Sequence, residues 1–225
     1  MRNFVIILSF CLATTLVSAQ ATKKDTPAKA PKNKALAIEL DSLYEADQSS
    51  RTEIERIAIN GIKDTAAFVI MAMKMNAQDA INQEKVEAIL DKYGWLGPDE
   101  VGDKGNSALF LVIQHADSAT QEKYLPMLKD AVKKGNANAA DLALLEDRVL
   151  LKEGKKQIYG SQLGSDDKTG ELVVSPIEDP DNLDKRRKEV GLEDMATYCA
   201  NFNLKWDLDR YKKGLPLLKI DKSQK

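Results

Sequence analysis

The apolar and polar positions of this chain alternate with a helical period over most of its length. In NKALAIELDSLYEADQSSR, Leu36, Leu40 and Leu43 fall at i, i+4 and i+7, which is one face of a helix. RTEIERIAINGI carries the period through Ile54 and Ile57, and Gly61 predicts a break. DTAAFVIMAMKMNAQDAI opens on a capping Asp64 and is rich in Ala and Met. NQEKVEAILDKYG sets Val86, Ile89 and Leu90 on one side and stops at Gly94.

GWLGPDEVGDKGN holds four glycines and a proline in thirteen residues, which predicts a loop anchored by Trp95. SALFLVIQHA is apolar almost all round and reads as a central helix, with a buried strand as the alternative. DSATQEKYLPMLKDAVKKG is capped by Asp117 or Ser118 and ends at Gly135, and Pro126 predicts a kink or a break within it. NAADLALLEDRVLLKEG has Leu142, Leu145 and Val149 on one face and closes at Gly154.

The texture then changes. In KKQIYGSQLGSDDKTGELVVSPIEDP, two β-prone runs, QIYG and ELVVSPI, flank a polar Gly- and Asp-rich turn, the pattern of a hairpin. DPDNLDKRRKEVG reads as a short helix from Pro180 to Gly191, and LEDMATYCANFNLKW as a last amphipathic helix. No internal repeat is present. The expected fold is mainly α: a single helical domain over residues 35–215 with one late β-hairpin, followed by a polar tail at 216–225.

The N-terminus has a different character. MRN followed by the apolar run FVIILSFCLATTLV and the small residues of VSA has the layout of a secretory signal peptide, residues 1–19. ATKKDTPAKAPKNK has almost nothing to bury, so residues 20–34 read as a flexible linker. A periplasmic or secreted protein cleaved near Ala19 is expected. No later run approaches eighteen apolar residues, so stable membrane insertion after cleavage is not expected.

Charge and cysteine content narrow the chemistry. The 33 basic residues fall to 32 once Arg2 leaves with the signal peptide, against 35 acidic ones, a net charge of −3. With no basic stripe, nothing supports nucleic-acid binding. Cys11 also leaves, so Cys199 stands alone, cannot form an internal disulfide, and reads as a small buried side chain. One histidine and one cysteine do not make a zinc site, and no phosphate loop, nucleophile elbow or dinucleotide fingerprint occurs. No cofactor is implied, and an exported protein has no nucleotide supply for ATP-dependent chemistry.

Four segments carry polar groups beyond what a fold requires. In QHAD, Gln114, His115 and Asp117 form a cluster in which Asp117 is placed to orient the imidazole as a general base, or to cap the next helix. In EDRV, Asp147 and Arg148 lie beside an apolar face, so Arg148 needs an acidic or carbonyl partner. In QIYGSQ, Gln157, Tyr159 and Gln162 surround Gly160, suited to a polar ligand or to docking the hairpin. In IEDPDNLDKRRKEVG, Arg186 and Arg187 sit near a helix start and call for anionic partners, from the protein or from a ligand.

Taken in order, YGWLG, QHAD, LLEDRVLL, QIYGSQ and PIEDPDNLDKRRKEVGL resemble a bacterial family known only as a domain of unknown function. The resemblance covers about residues 93–192 and rests on Gly94, Trp95, Gln114 to Asp117, Asp147, Arg148, Gln157, Tyr159, Gly160, Gln162, Asp179, Pro180, Arg186 and Arg187. It implies a shared site and no particular activity.

Two readings follow. In the first, the cluster is a ligand pocket or structural network of a non-catalytic binding or interaction domain, any small ligand being polar or anionic. In the alternative, a hydrolase-like or transferase-like enzyme uses His115 as general acid or base and Asp117 as its orienting carboxylate. Tyr159 is then a second proton donor, Arg148, Arg186 or Arg187 holds an anionic substrate, and Gln114, Gln157 and Gln162 bind its polar groups. Oligomeric state is left open.

Overall fold

A computed structural model describes residues 30–59, 65–166 and 168–220. The signal peptide, residues 20–29 of the linker, the capping Asp64 and the break at Gly61 lie outside these residues. Among them are eight α-helices and two small two-stranded sheets, so the chain is mainly α, with the hairpin late in sequence as expected. The described chain packs as two compact units, residues 30–138 and 139–220.

The first unit holds α1 (Lys34–Ile59), α2 (Thr65–Tyr93), α3 (Pro98–His115) and α4 (Ser118–Lys133). The apolar stripe of α1 buries Leu36, Leu40, Leu43 and Ile54, and α3 packs against both α1 and α2. Val86, Ile89 and Leu90 of α2 and Val101, Leu109, Val112 and Ile113 of α3 complete that core. SALFLVIQHA is therefore helix, and its near-complete apolarity matches its central place.

Two expectations are corrected in this unit. The Gly- and Pro-rich segment is not all loop, because α3 begins at Pro98. Pro98 is tolerated in a first helical turn, and Asp99 and Glu100 in that turn oppose the positive end of the helix dipole. The loop is confined to residues 94–97, and inside α3 the glycine signal survives as a kink at Gly102, whose φ of 76° is open to glycine at little cost. Pro126 does not divide α4 either. It lies on the exposed face, as does Glu122, whose carbonyl loses its helical partner and can bond water instead.

The second unit runs from α5 (Ala139–Lys152) through β1 (Leu163–Ser165), β2 (Leu172–Val174), a 3₁₀ turn (Pro180–Asn182), α6 (Leu183–Glu189), α7 (Met195–Asn201), β3 (Leu204–Lys205), α8 (Leu208–Lys212) and β4 (Leu218–Lys219). Val174, Ile177, Leu183, Met195, Cys199 and Leu204 form its core, with Tyr198, Phe202, Trp206 and Tyr211 packed around them. The hairpin differs from its expected placement. QIYG is not a strand; β1 starts at Leu163 and pairs antiparallel with β2, Gly164 facing Val173. Only Gln157 of QIYG bridges a neighbour, Ile177, because the amides of Ile158 and Tyr159 are held by a side chain. The last helix is shorter than expected, and the polar tail contributes β4, which pairs with β3.

Candidate functional site

In the first unit the polar end of α3 is built inward. Gln114 is 1% exposed, and its carbonyl accepts a hydrogen bond from Gln121 Nε2 at 2.9 Å; the same amide donates to the Ala116 carbonyl at 3.0 Å. α3 stops at His115, and Asp117 caps α4 by accepting from the Thr120 amide at 2.9 Å. Its other oxygen takes the Gln83 amide at 2.9 Å. Asp117 thus plays the capping role that its position allowed.

The carboxylate on His115 is Asp47 of α1, whose Oδ1 lies 2.9 Å from His115 Nδ1. Arg51, one turn further along α1, brings its Nε to the same Nδ1 at 3.0 Å and donates through Nη2 to Asp79 of α2 at 2.8 Å. Its Nη1 lies 3.1 Å from the Met75 sulfur. The four side chains are 1% (Asp47), 12% (Arg51), 17% (Asp79) and 7% (His115) exposed, so the network ties three helices together away from solvent.

The charges are unevenly held. Burial pushes the Asp47 carboxyl up, but its hydrogen bond to His115 and the nearby His115 and Arg51 charges outweigh that and hold it below the usual range. At Asp79 burial wins over Arg51, and the carboxyl lies above its usual value. Nδ1 cannot accept from Arg51 and donate to Asp47 at once: a neutral ring with its proton on Nε2 suits Arg51, and a charged ring suits Asp47.

Sequence reasoning passed over Asp47, Arg51 and Asp79. A signal was present: Leu36, Leu40, Leu43, Asp47 and Ile54 share one face, so Asp47 sits where the apolar stripe demands a hydrophobe.

The second unit uses its singled-out residues on its own backbone. Asp147, fully buried on α5, accepts from the amides of Ile158 (2.6 Å), Tyr159 (3.0 Å) and Ser161 (2.9 Å). Burial pushes its carboxyl above the usual range despite those three donors. Gln157 imitates a strand: its Nε2 donates to the Gln162 and Ser175 carbonyls, and its Oε1 accepts from the Gln162 amide. Gln162 in turn donates to Ser161 Oγ at 3.1 Å.

Arg186 donates to the carbonyls of Ile158, Glu178 and Asp179 at 2.9, 2.6 and 2.8 Å, with the Asp179 carboxylate at 3.4 Å. Arg187, 1% exposed, donates to the Tyr159 and Glu193 carbonyls at 2.7 and 2.6 Å and lies over the Tyr198 ring. Tyr159 is half-buried, and burial, followed by the charges of Glu146 and Asp147, raises its phenol above the ordinary value. Arg148 is buried on α5. Gly160, at φ 65°, turns the loop where any Cβ would meet Ile177 Cδ1 at 3.1 Å and Met195 Sδ at 3.3 Å. Cys199 is buried, and its thiol is pushed up to about 12 by that burial, which suppresses nucleophilic character.

One surface depression in the first unit is lined by Ala80, Gln83, Glu84, Glu87 and Asp117, and one in the second by Lys156, Val174, Pro176, Ile177, Pro180, Tyr211 and Lys212. Neither is lined by His115, Tyr159, Arg186 or Arg187. Among the described residues no three His, Cys, Asp or Glu side chains are grouped to hold a metal ion, and no helix is long and apolar enough to cross a membrane.

A different surface stands out on α2. While Phe68, Ala72, Asn82 and Val86 are buried, the opposite face exposes Val69 (37%), Ile70 (55%), Met73 (66%) and Ile81 (49%). Ala66, Ala77 and Ala80 fill the positions between them and are exposed as well. The sequence showed this helix as rich in Ala and Met but not two-sided, because apolar residues occupy both faces and cancel the periodic signal.

Comparison with known families shows that the model described as a family of unknown function (DUF6624) matches residues 34–209. No curated protein and no solved structure matches the chain significantly.

Proposed function

Because the chain belongs to this family of unknown function, we propose from its own geometry that it is an exported, non-catalytic interaction domain whose contact surface is the outer face of α2. The observation that carries the reading is the run of exposed apolar side chains from Val69 to Ile81 on a helix whose other face is already buried. Singly exposed hydrophobes are ordinary; a contiguous helical stripe marks a surface that a partner covers.

The polar clusters support the same reading. A catalytic His115 needs an open cleft, yet its imidazole is 7% exposed beside Asp47 and Arg51. Arg186 and Arg187 direct donors at main-chain carbonyls, where an anionic substrate would have to displace them. Export is inferred from residues 1–19, which lie outside the described residues, and is checked by sequencing the mature N-terminus, expected at Gln20.

Methionine footprinting tests the contact surface. Met73 is exposed, while Met127 on α4 is half-buried and serves as the internal reference. Oxidant is applied to cells making the protein and to the dilute purified chain, and sulfoxide is counted by mass spectrometry. The Met73-to-Met127 ratio is expected to fall several-fold in cells. An unchanged ratio refutes the reading.

A further inference from the structure

We infer that the partner covering α2 is a second copy of this chain, joined through an antiparallel α2–α2 pair centred near Met75. This rests on the interaction reading above and adds the identity of the occupant.

The outward residues Ala66, Ile70, Met73, Ala77 and Ala80 follow one another at steps of four, three, four and three, the spacing of a coiled-coil seam. All five are exposed. The helix's other face is committed to the unit's interior, with Phe68, Ala72 and Asn82 buried and Met75 against Arg51. α2 therefore carries a second apolar seam that the described residues of its own unit leave uncovered.

The order of large and small side chains along that seam selects the partner. Run antiparallel about Met75, Ile70 of one copy faces Ala80 of the other, Met73 faces Ala77, and Ala66 faces the methylenes of Glu84. Each bulky side chain meets a small one, so the two helices can close to about 8 Å between axes. Run parallel, Ile70 meets Ile70, Met73 meets Met73, the alanines leave gaps opposite one another, and two Glu84 carboxylates are opposed. The seam is complementary to itself when run antiparallel, and self-complementarity is what a two-fold interface requires.

One unfavourable apposition remains. Lys74 borders the seam, and the two-fold axis brings it near its mate. Both side chains are exposed and long, so they splay into water and salt screens them. The dimer should therefore strengthen as ionic strength rises. The seam from Ala66 to Glu84 is about 28 Å long and smaller than the roughly 800 Å² per partner of a standard interface, so association is expected to be reversible and concentration-dependent.

The test uses the chain from Gln20 to Lys225. Sedimentation velocity from micromolar to about 1 mM is expected to show a monomer–dimer equilibrium that tightens with added salt and with Lys74→Gln, and that Met73→Glu abolishes without altering the circular dichroism. Under oxidation, the Met73→Cys/Ala77→Cys double variant should link into dimers and Met73→Cys alone should not, Cys199 being buried. A chain that stays monomeric to 1 mM, a dimer that survives Met73→Glu, or efficient linking by Met73→Cys alone overturns the proposal. A monomer in solution whose Met73 is still protected in cells refutes the second copy and leaves the interaction reading standing; loss of both signals refutes both.

Discussion

Asp47 and His115, sixty-eight residues apart, meet at 2.9 Å between Oδ1 and Nδ1, with Arg51 closing on the same nitrogen and bridging to Asp79. A carboxylate beside an imidazole is also what a general base requires, but here burial and the Arg51 guanidinium make it a joint between α1, α2 and α3.

Asp47→Asn is expected to cost about 3–5 kcal/mol near neutral pH, since it takes the carboxylate from His115 and leaves Asp79 as the remaining carboxylate on Arg51 in a buried site. The pH dependence follows from the direction of the shift. The Asp47 carboxyl is held below its ordinary value, so its contribution is complete above the unfolded value of about 4 and is lost as pH falls through the lower folded value. Asp79, shifted upward, has the opposite slope. Urea titrations between about pH 2 and pH 7 should show a steep acid loss in the natural chain and a shallower one in Asp47→Asn. Equal slopes would assign the acid limb elsewhere.

In the second unit, Asp147→Ala strips the acceptor from the amides of Ile158, Tyr159 and Ser161 at a fully buried point. A loss of about 3 kcal/mol or more is expected. Gly160→Ala is expected to lose about 1–3 kcal/mol through its positive φ and its contacts with Ile177 and Met195. Both are read by thermal melting and by protease cutting within residues 157–162. A stable Asp147→Ala would mean that the loop holds itself by other bonds.

Cys199 should resist thiol reagents in the native chain at pH 8, because burial both blocks access and raises the thiol to about 12. Labelling is expected only at the rate of unfolding, and denaturant should release it. Fast native labelling would show that the α7 core opens readily.

Much of the fold was legible in the residues. The 3.6-residue spacing of Leu36, Leu40 and Leu43, the cap at Asp117 and the stop at Gly94 depend on neighbours within a turn or two, and local sequence carries them. The start of α3 was hidden because Pro98 and four glycines mimic a loop, although Pro suits a first turn. QIYG favours a strand because its residues are β-prone. Its amides are instead held by Asp147, more than ten residues upstream, which no local propensity encodes.

The candidate site divides in the same way. The sequence alone determined which side chains are out of place for a plain helical fold: His115, Asp147, Gln157, Arg186 and Arg187. Only the tertiary structure decided what they face, because the partner of a buried polar group is set by packing across helices and loops. It gave His115 to Asp47, Asp147 to a turn of backbone amides, and the arginines to carbonyls. It also decided which side of α2 is outside, since apolar residues on both faces of one helix are indistinguishable until the rest of the unit has covered one of them.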